Sequence, residues 1–190
     1  MRSAGCIVND ITDKKFDKKV VTYIREFKKF YKAENYHQDY IKIIPATLTA
    51  QAYITTDLDD NQITAFHPGA MTQSHKNSIN SIVENIDLAI IAPDGKDGMI
   101  QHANECVKKN IPFLFDPGQG IPMFDKDELK LFIDQARYIA LNDYELQLIL
   151  DKTSFNLNDL TNSVDALIVK KCSKGSVIYS KKDKINIEAI

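Results

Sequence analysis

The chain has 190 residues, 44% of them hydrophobic, which suits one domain with a sizeable core and a small appendage. A formal net charge of −2 argues against a nucleic-acid surface, and no apolar run approaches the roughly 18 residues of a membrane span. The first ten residues lack a signal-peptide pattern. Cys6, Cys106 and Cys172, odd in number and far apart, read as free thiols of a reducing cytoplasm, and the scattered His and Cys residues predict no structural metal site.

In chain order, Lys14 to Glu34 is highly charged but carries Val20, Val21, Ile24, Phe27, Phe30 and Tyr31 at spacings of three and four, which predicts one apolar helix face. Three strands are expected next, over Tyr40–Ile44 (stopped by Pro45), Thr47–Thr56 and Gln62–His67. The last two flank Asp57-Leu58-Asp59-Asp60-Asn61, a cluster of turn formers, so they read as a hairpin. From Ser74 the rhythm changes. Leu88–Ala92, Pro112–Phe115, Tyr138–Leu141 and Ala166–Val169 are short apolar runs, the first expected to be a strand buried on both faces. Helices are predicted over Gly98–Lys109, Lys126–Gln135 and Asp143–Leu150, the last capped by Asn142. A second hairpin is expected from Ser176–Ser180 and Ile185–Ile187.

Alternating strands and helices imply a parallel sheet with right-handed crossovers, whose ligands sit beyond the carboxyl ends of the strands. Those ends carry Pro93-Asp94-Gly95, Asp116-Pro117-Gly118-Gln119-Gly120 and Asn142-Asp143-Tyr144-Glu145. Taken singly each is a turn with a helix cap; taken together they form a polar rim. Asp116 and Glu145 are a candidate pair for holding Mg²⁺ through water, because Mg²⁺ keeps much of its hydration and needs one or two carboxylates.

The run Thr49 to Met71, the strand end Phe115-Asp116-Pro117-Gly118-Gln119 and the motif Asn142-x-x-Glu145 together resemble the ribokinase (PfkB) carbohydrate kinases, in particular their bacterial adenosine-kinase-like branch. The resemblance runs from about Tyr23 to Ile187. It implies an α/β fold: a ribokinase-like three-layer sandwich with a mostly parallel sheet and a small β lid, here expected to be incomplete. Residues 1–39 would be an N-terminal helical remnant, 40–72 the lid strands and 73–190 a partial α/β domain. The resemblance further implies Ile63 and Ala65, with Gln51, at the acceptor pocket. Asp116, Asn142, Glu145 and Gly175 would lie on the side of the nucleotide phosphates and Mg²⁺. ATP and Mg²⁺ would be required, with a sugar or nucleoside as acceptor, adenosine favoured, and a homodimer could form through the lid strands.

The sequence also departs from that pattern. The family's opening Asp strand, its Gly-Gly-x-x-x-Asn segment and its Gly-Ala-Gly-Asp signature have no counterpart here, so no residue is assigned as the catalytic base and the chain is expected to be truncated at both ends and inactive alone. Where the family has Thr-x-Gly-x-x-Gly, this chain has Lys170-Lys171-Cys172-Ser173-Lys174-Gly175. A Cys in place of the first glycine would be strained if the backbone there needs a positive φ. Lys170 reads either as a solvated side chain or as a point charge for a phosphate. A non-catalytic module that binds a nucleoside or sugar is the alternative function.

Overall fold

The computed structural model describes residues 42–58 and 62–189, which divide into two compact units at the Ala70–Met71 junction. The helix expected over Lys14–Glu34 lies outside the described residues.

In the first unit, β1 (Gln51–Thr56) and β2 (Gln62–His67) form an antiparallel hairpin with Tyr53 opposite Ala65 and Thr55 opposite Ile63. The β-branched and aromatic residues at alternate positions explain the pairing. The strand predicted over Tyr40–Ile44 is not found in its described part: residues 42–44 pair with no strand, and Ile43 is almost fully exposed. Without a neighbouring strand, alternation alone does not hold an extended segment in a sheet. The chain returns at Gly69, whose φ is +51°, and a side chain there would collide with the Leu48 carbonyl oxygen. The adjacent Ala70 N–H donates to that same oxygen at 2.7 Å.

The second unit is built on a six-stranded sheet in the order β3-β4-β5-β6-β7-β8: β3 Ala89–Ile91, β4 Phe113–Phe115, β5 Tyr138–Asn142, β6 Ala166–Lys170, β7 Ser176–Ser180 and β8 Lys184–Ile187. The first four strands are parallel, and the last two continue the sheet as an antiparallel hairpin. Helices α1 (Lys96–Lys108), α2 (Lys126–Gln135), α3 (Asp143–Thr153) and α4 (Leu157–Ser163) link the parallel strands. α4 was not foreseen: its sequence is largely polar and Leu160 is its one buried residue.

All four helices pack on one face of the sheet. Ile91, Phe113, Phe115, Ile139, Leu141, Leu167 and Val169 form a single core with Met99, Cys106, Leu129, Phe132, Ile149 and Leu160. Phe115 and Phe132 stack with centroids 4.4 Å apart, and Phe124 meets Phe132 edge-on at 5.1 Å. The alternate strand residues face away from this core. The described residues therefore supply two layers of a sandwich. β3 is an edge strand, and the expectation that its run would be buried on both faces is corrected: Ile90 is 65% exposed. The cause is the alternation of the strand: Ile91 points into the helix-covered core, whereas Ile90 points to the opposite face, which no described helix covers.

Three consecutive helices begin with reciprocal caps: Asp125 with Glu128, Asn142 with Glu145, and Asn156 with Asp159. Each satisfies backbone N–H groups that the first helical turn leaves unpaired. A buried carboxylate fixes the approach to the sheet. Glu105 on α1 accepts hydrogen bonds from the Ser78 hydroxyl at 2.8 Å, the Ile79 N–H at 2.6 Å and the Gln101 amide at 3.0 Å.

Phe132 carries the aromatic stack, so Phe132→Ala is expected to cost about 3–5 kcal/mol, read as a fall in the urea midpoint. An unchanged midpoint would mean that the stack does not support the core.

Candidate functional site at the carboxyl edge of the sheet

Parallel register brings the ends of β3 to β6 to one edge. Asn142 on β5 lies directly opposite Lys170 on β6. Asp116 follows the last residue of β4 and stays tied to the sheet, its N–H donating to the Ile91 carbonyl at 3.0 Å. By alternation, Asp116, Asn142 and Lys170 continue the sheet face turned away from the helices.

Lys170 Nζ reaches across β5 to Asp116, at 3.1 Å from Oδ2 and 3.4 Å from Oδ1. The lysine is half exposed, but it is paired rather than simply solvated. No local signal predicts this contact, because the partners are 54 residues apart and meet through strand order alone. In a half-exposed setting such a pair contributes little to stability. Its interest lies in placing one cation and one anion together on the strand-end edge.

Glu145 is almost fully buried in the first turn of α3. Its Oε2 accepts from the Asn142 N–H at 2.8 Å, while Asn142 Oδ1 accepts from the Glu145 N–H at 2.7 Å. The two candidates of the Asn-x-x-Glu motif thus close a capping box on each other. Asp116 and Glu145 each have a protein partner, and no group of three or more His, Cys, Asp or Glu side chains converges on a metal position among the described residues. Asp116, partly exposed at the edge, suits water-mediated contact with a hydrated Mg²⁺ better than Glu145 does.

The segment after β6 turns tightly through Cys172–Lys174. Cys172 adopts φ +50°, the left-handed region that costs a non-glycine residue about 1–2 kcal/mol. Gly175 has φ +80°, and a Cβ there would collide with the Ile187 carbonyl oxygen of β8. Glycine is therefore required at 175, while at 172 the chain tolerates a strained cysteine. That thiol is exposed, whereas Cys106 is buried in the core, where desolvation and the nearby Glu105 charge push its pKa up to about 11.

In the first unit, register puts Gln51, Ile63 and Ala65 on the same face of the hairpin, together with Tyr53. All four are exposed, Ile63 at 78%, and the Tyr53 hydroxyl donates to Gln51 Oε1 at 2.7 Å. No helix among the described residues is long and apolar enough to cross a membrane.

Similarity to known proteins falls on two parts of the chain. A family model described as PMSR, peptide methionine sulfoxide reductase, matches residues 2–67, about a third of the sequence. The sequence is also 37% identical over 142 residues to a nucleoside kinase of Methanocaldococcus jannaschii, covering 75% of this chain and 46% of the relative. A match of that length necessarily takes in the middle of the chain, including the Gln51–His67 hairpin that the reductase model also reaches. Among solved structures, the nucleoside kinase of Burkholderia thailandensis in complex with inosine aligns with a TM-score of 0.78 and 47% identity, over 80% of this chain and 51% of that one. The M. jannaschii nucleoside kinase, described as an archaeal member of the ribokinase family, aligns with a TM-score of 0.69 and 34% identity, over 76% and 48%. The chain spans about half the length of the relatives it matches.

Two outcomes are expected from the turn after β6. Cys172→Gly removes the left-handed strain at some cost in unfolded-state entropy and should stabilise the protein by about 0.5–1 kcal/mol, measured by urea unfolding. In the native protein at pH 8, iodoacetamide should modify Cys172 readily and Cys106 only after unfolding, as read by peptide mass spectrometry; early modification of Cys106 would contradict its burial.

Proposed function

Because this chain belongs to the ribokinase (PfkB) family of carbohydrate kinases, we propose that it is part of a nucleoside kinase that moves the γ-phosphoryl group of ATP to a nucleoside hydroxyl, with adenosine the favoured acceptor. The observation that carries this reading is the 47% identity to the Burkholderia enzyme solved with inosine. Phosphoryl transfer asks the protein mainly for positioning and charge stabilisation. The strand-end edge offers an ammonium group at Lys170, a carboxylate at Asp116 and the tight Cys172–Gly175 turn. On this reading Lys170 exchanges its contact with Asp116 for a phosphate oxygen of ATP. Asp116, once released, accepts hydrogen bonds from water on the nucleotide's Mg²⁺. Mg²⁺, when bound, neutralises phosphate charge. Asn142 and Glu145 act as positioning residues by fixing the start of α3. Gln51, Ile63 and Ala65 form the acceptor-facing side of the lid hairpin, and a homodimer would pair through the lid strands.

These 190 residues contain no Gly-x-Gly-Asp segment to supply a catalytic base, so the chain alone is expected to bind without turnover. A second reading comes from the match over residues 2–67. Thiol chemistry reduces methionine sulfoxide, and Cys6 is the one cysteine in that interval. Formation of methionine from a sulfoxide peptide in the presence of dithiothreitol, lost in Cys6→Ser, would favour it; no turnover would remove it.

Thermal unfolding tests the kinase reading. Adenosine, inosine or Mg²⁺–ATP, at about 100 times its Kd, should raise the midpoint by roughly 5 °C. A transition that no nucleoside or nucleotide moves would overturn the reading, and ATP-dependent phosphorylation of adenosine by the pure chain would overturn the expected lack of turnover. Lys170→Ala should weaken ATP binding about tenfold or more, as for loss of a charge-assisted hydrogen bond of about 1.5–3 kcal/mol, measured by calorimetry. Unchanged affinity would exclude Lys170 from the phosphate site.

A further inference from the structure

We propose that the Lys170–Asp116 ion pair is a selectivity gate: it disfavours metal-free ATP and yields to ATP that carries a divalent cation. The proposal rests on the nucleotide reading above and adds to it that the metal is selected at the binding step, before any chemistry.

Lys170 Nζ lies 3.1 and 3.4 Å from the two oxygens of Asp116, so one ammonium group engages the whole carboxylate. The partners extend from β4 and β6, and β5 runs between them. The pair therefore closes across the end of β5, where Asn142 stands opposite Lys170. A lysine has the reach for this, and a threonine at position 170 would not. Glu145, the other candidate carboxylate, is tied into its capping box and almost fully buried. Asp116 is thus the one candidate carboxylate left partly exposed on the strand-end edge, and its charge is held by Lys170.

A polyphosphate that takes Lys170 must draw it away from Asp116. What is left behind decides the outcome. Without a metal, an unpaired carboxylate remains beside phosphate oxygens, and the like charges repel. With a hydrated divalent cation on the phosphates, the same carboxylate accepts hydrogen bonds from metal-bound water, and repulsion gives way to attraction. The pair is half exposed and parts at little cost, so it does not bar the metal-bound form. Nucleotide and metal are coupled through Asp116, and such coupling is reciprocal. Neutralising Asp116 therefore helps metal-free ATP and brings no gain to the metal-bound form. A residue that merely shaped the loop would move both forms together.

The test is calorimetric titration of the 190-residue chain with ATP, once in EDTA and once in excess Mg²⁺. The native chain is expected to bind about tenfold more weakly in EDTA. In Asp116→Asn, affinity in EDTA should rise about threefold or more, affinity in Mg²⁺ should stay level or fall, and the preference should shrink to about threefold or less. In a Lys170→Thr background the gain from Asp116→Asn should be smaller, because no ammonium group is left to release. Equal affinities of the native chain in the two solutions overturn the proposal. So does an Asp116→Asn variant that shifts both affinities by the same factor, or a gain that Lys170→Thr leaves undiminished. The comparison on the native chain holds whatever the variants do to folding. Binding in neither solution overturns the nucleotide reading together with this one, whereas binding that ignores the metal overturns this one alone.

Discussion

The contact on which the second unit depends is the apolar seam between the inner face of the sheet and its helices, with the Phe115–Phe132 stack at its centre. Four parallel strands give that seam its length, and parallel strands require the chain to cross back over the sheet between them. The four helices make up the three crossings, two of them between β5 and β6, and all lie on the same side. Two consequences follow from this geometry. Every parallel strand ends on the same edge, which is where Asp116, Asn142 and Lys170 are gathered. And the face opposite the helices carries Ile90 and Ile185, both exposed, with no helix over it among the described residues.

Most of this arrangement was legible in the sequence because short apolar runs bounded by Pro, Gly and Asp mark parallel strands well. Phe113–Phe115 and Tyr138–Asn142 fall within a residue of their expected limits. What such runs do not encode is which face of a strand is covered. Leu88–Ala92 is wholly apolar, and a central strand and an edge strand of an incomplete sandwich look alike at that level. Leu157–Ser163 escaped notice because a short helix with one buried leucine has almost no periodic signal, although Asn156 and Asp159 announced its cap.

At the candidate site, local features were readable and long-range ones were not. Asn142-x-x-Glu145 could be recognised as a motif, and the cost of a cysteine at a left-handed position could be foreseen; Cys172 does occupy that region. The Lys170–Asp116 pair could not be read, because it depends on β4 and β6 flanking β5, a fact of topology rather than of any segment. The N-terminal third posed a different difficulty. Its charged, amphipathic pattern gave no sign of the similarity to a peptide methionine sulfoxide reductase model over residues 2–67. Periodicity reports a helix face but carries no mark of ancestry.

The three successive capping boxes bear on how the molecule is made. Each encodes a helix start within four residues, so nucleation, the costly step of helix formation, is assisted locally and in chain order. Each of β4, β5 and β6 in turn pairs with the strand that precedes it in sequence. A ribosome releasing this chain thus delivers every strand after β3 to a template already present, and the sheet grows outward by accretion.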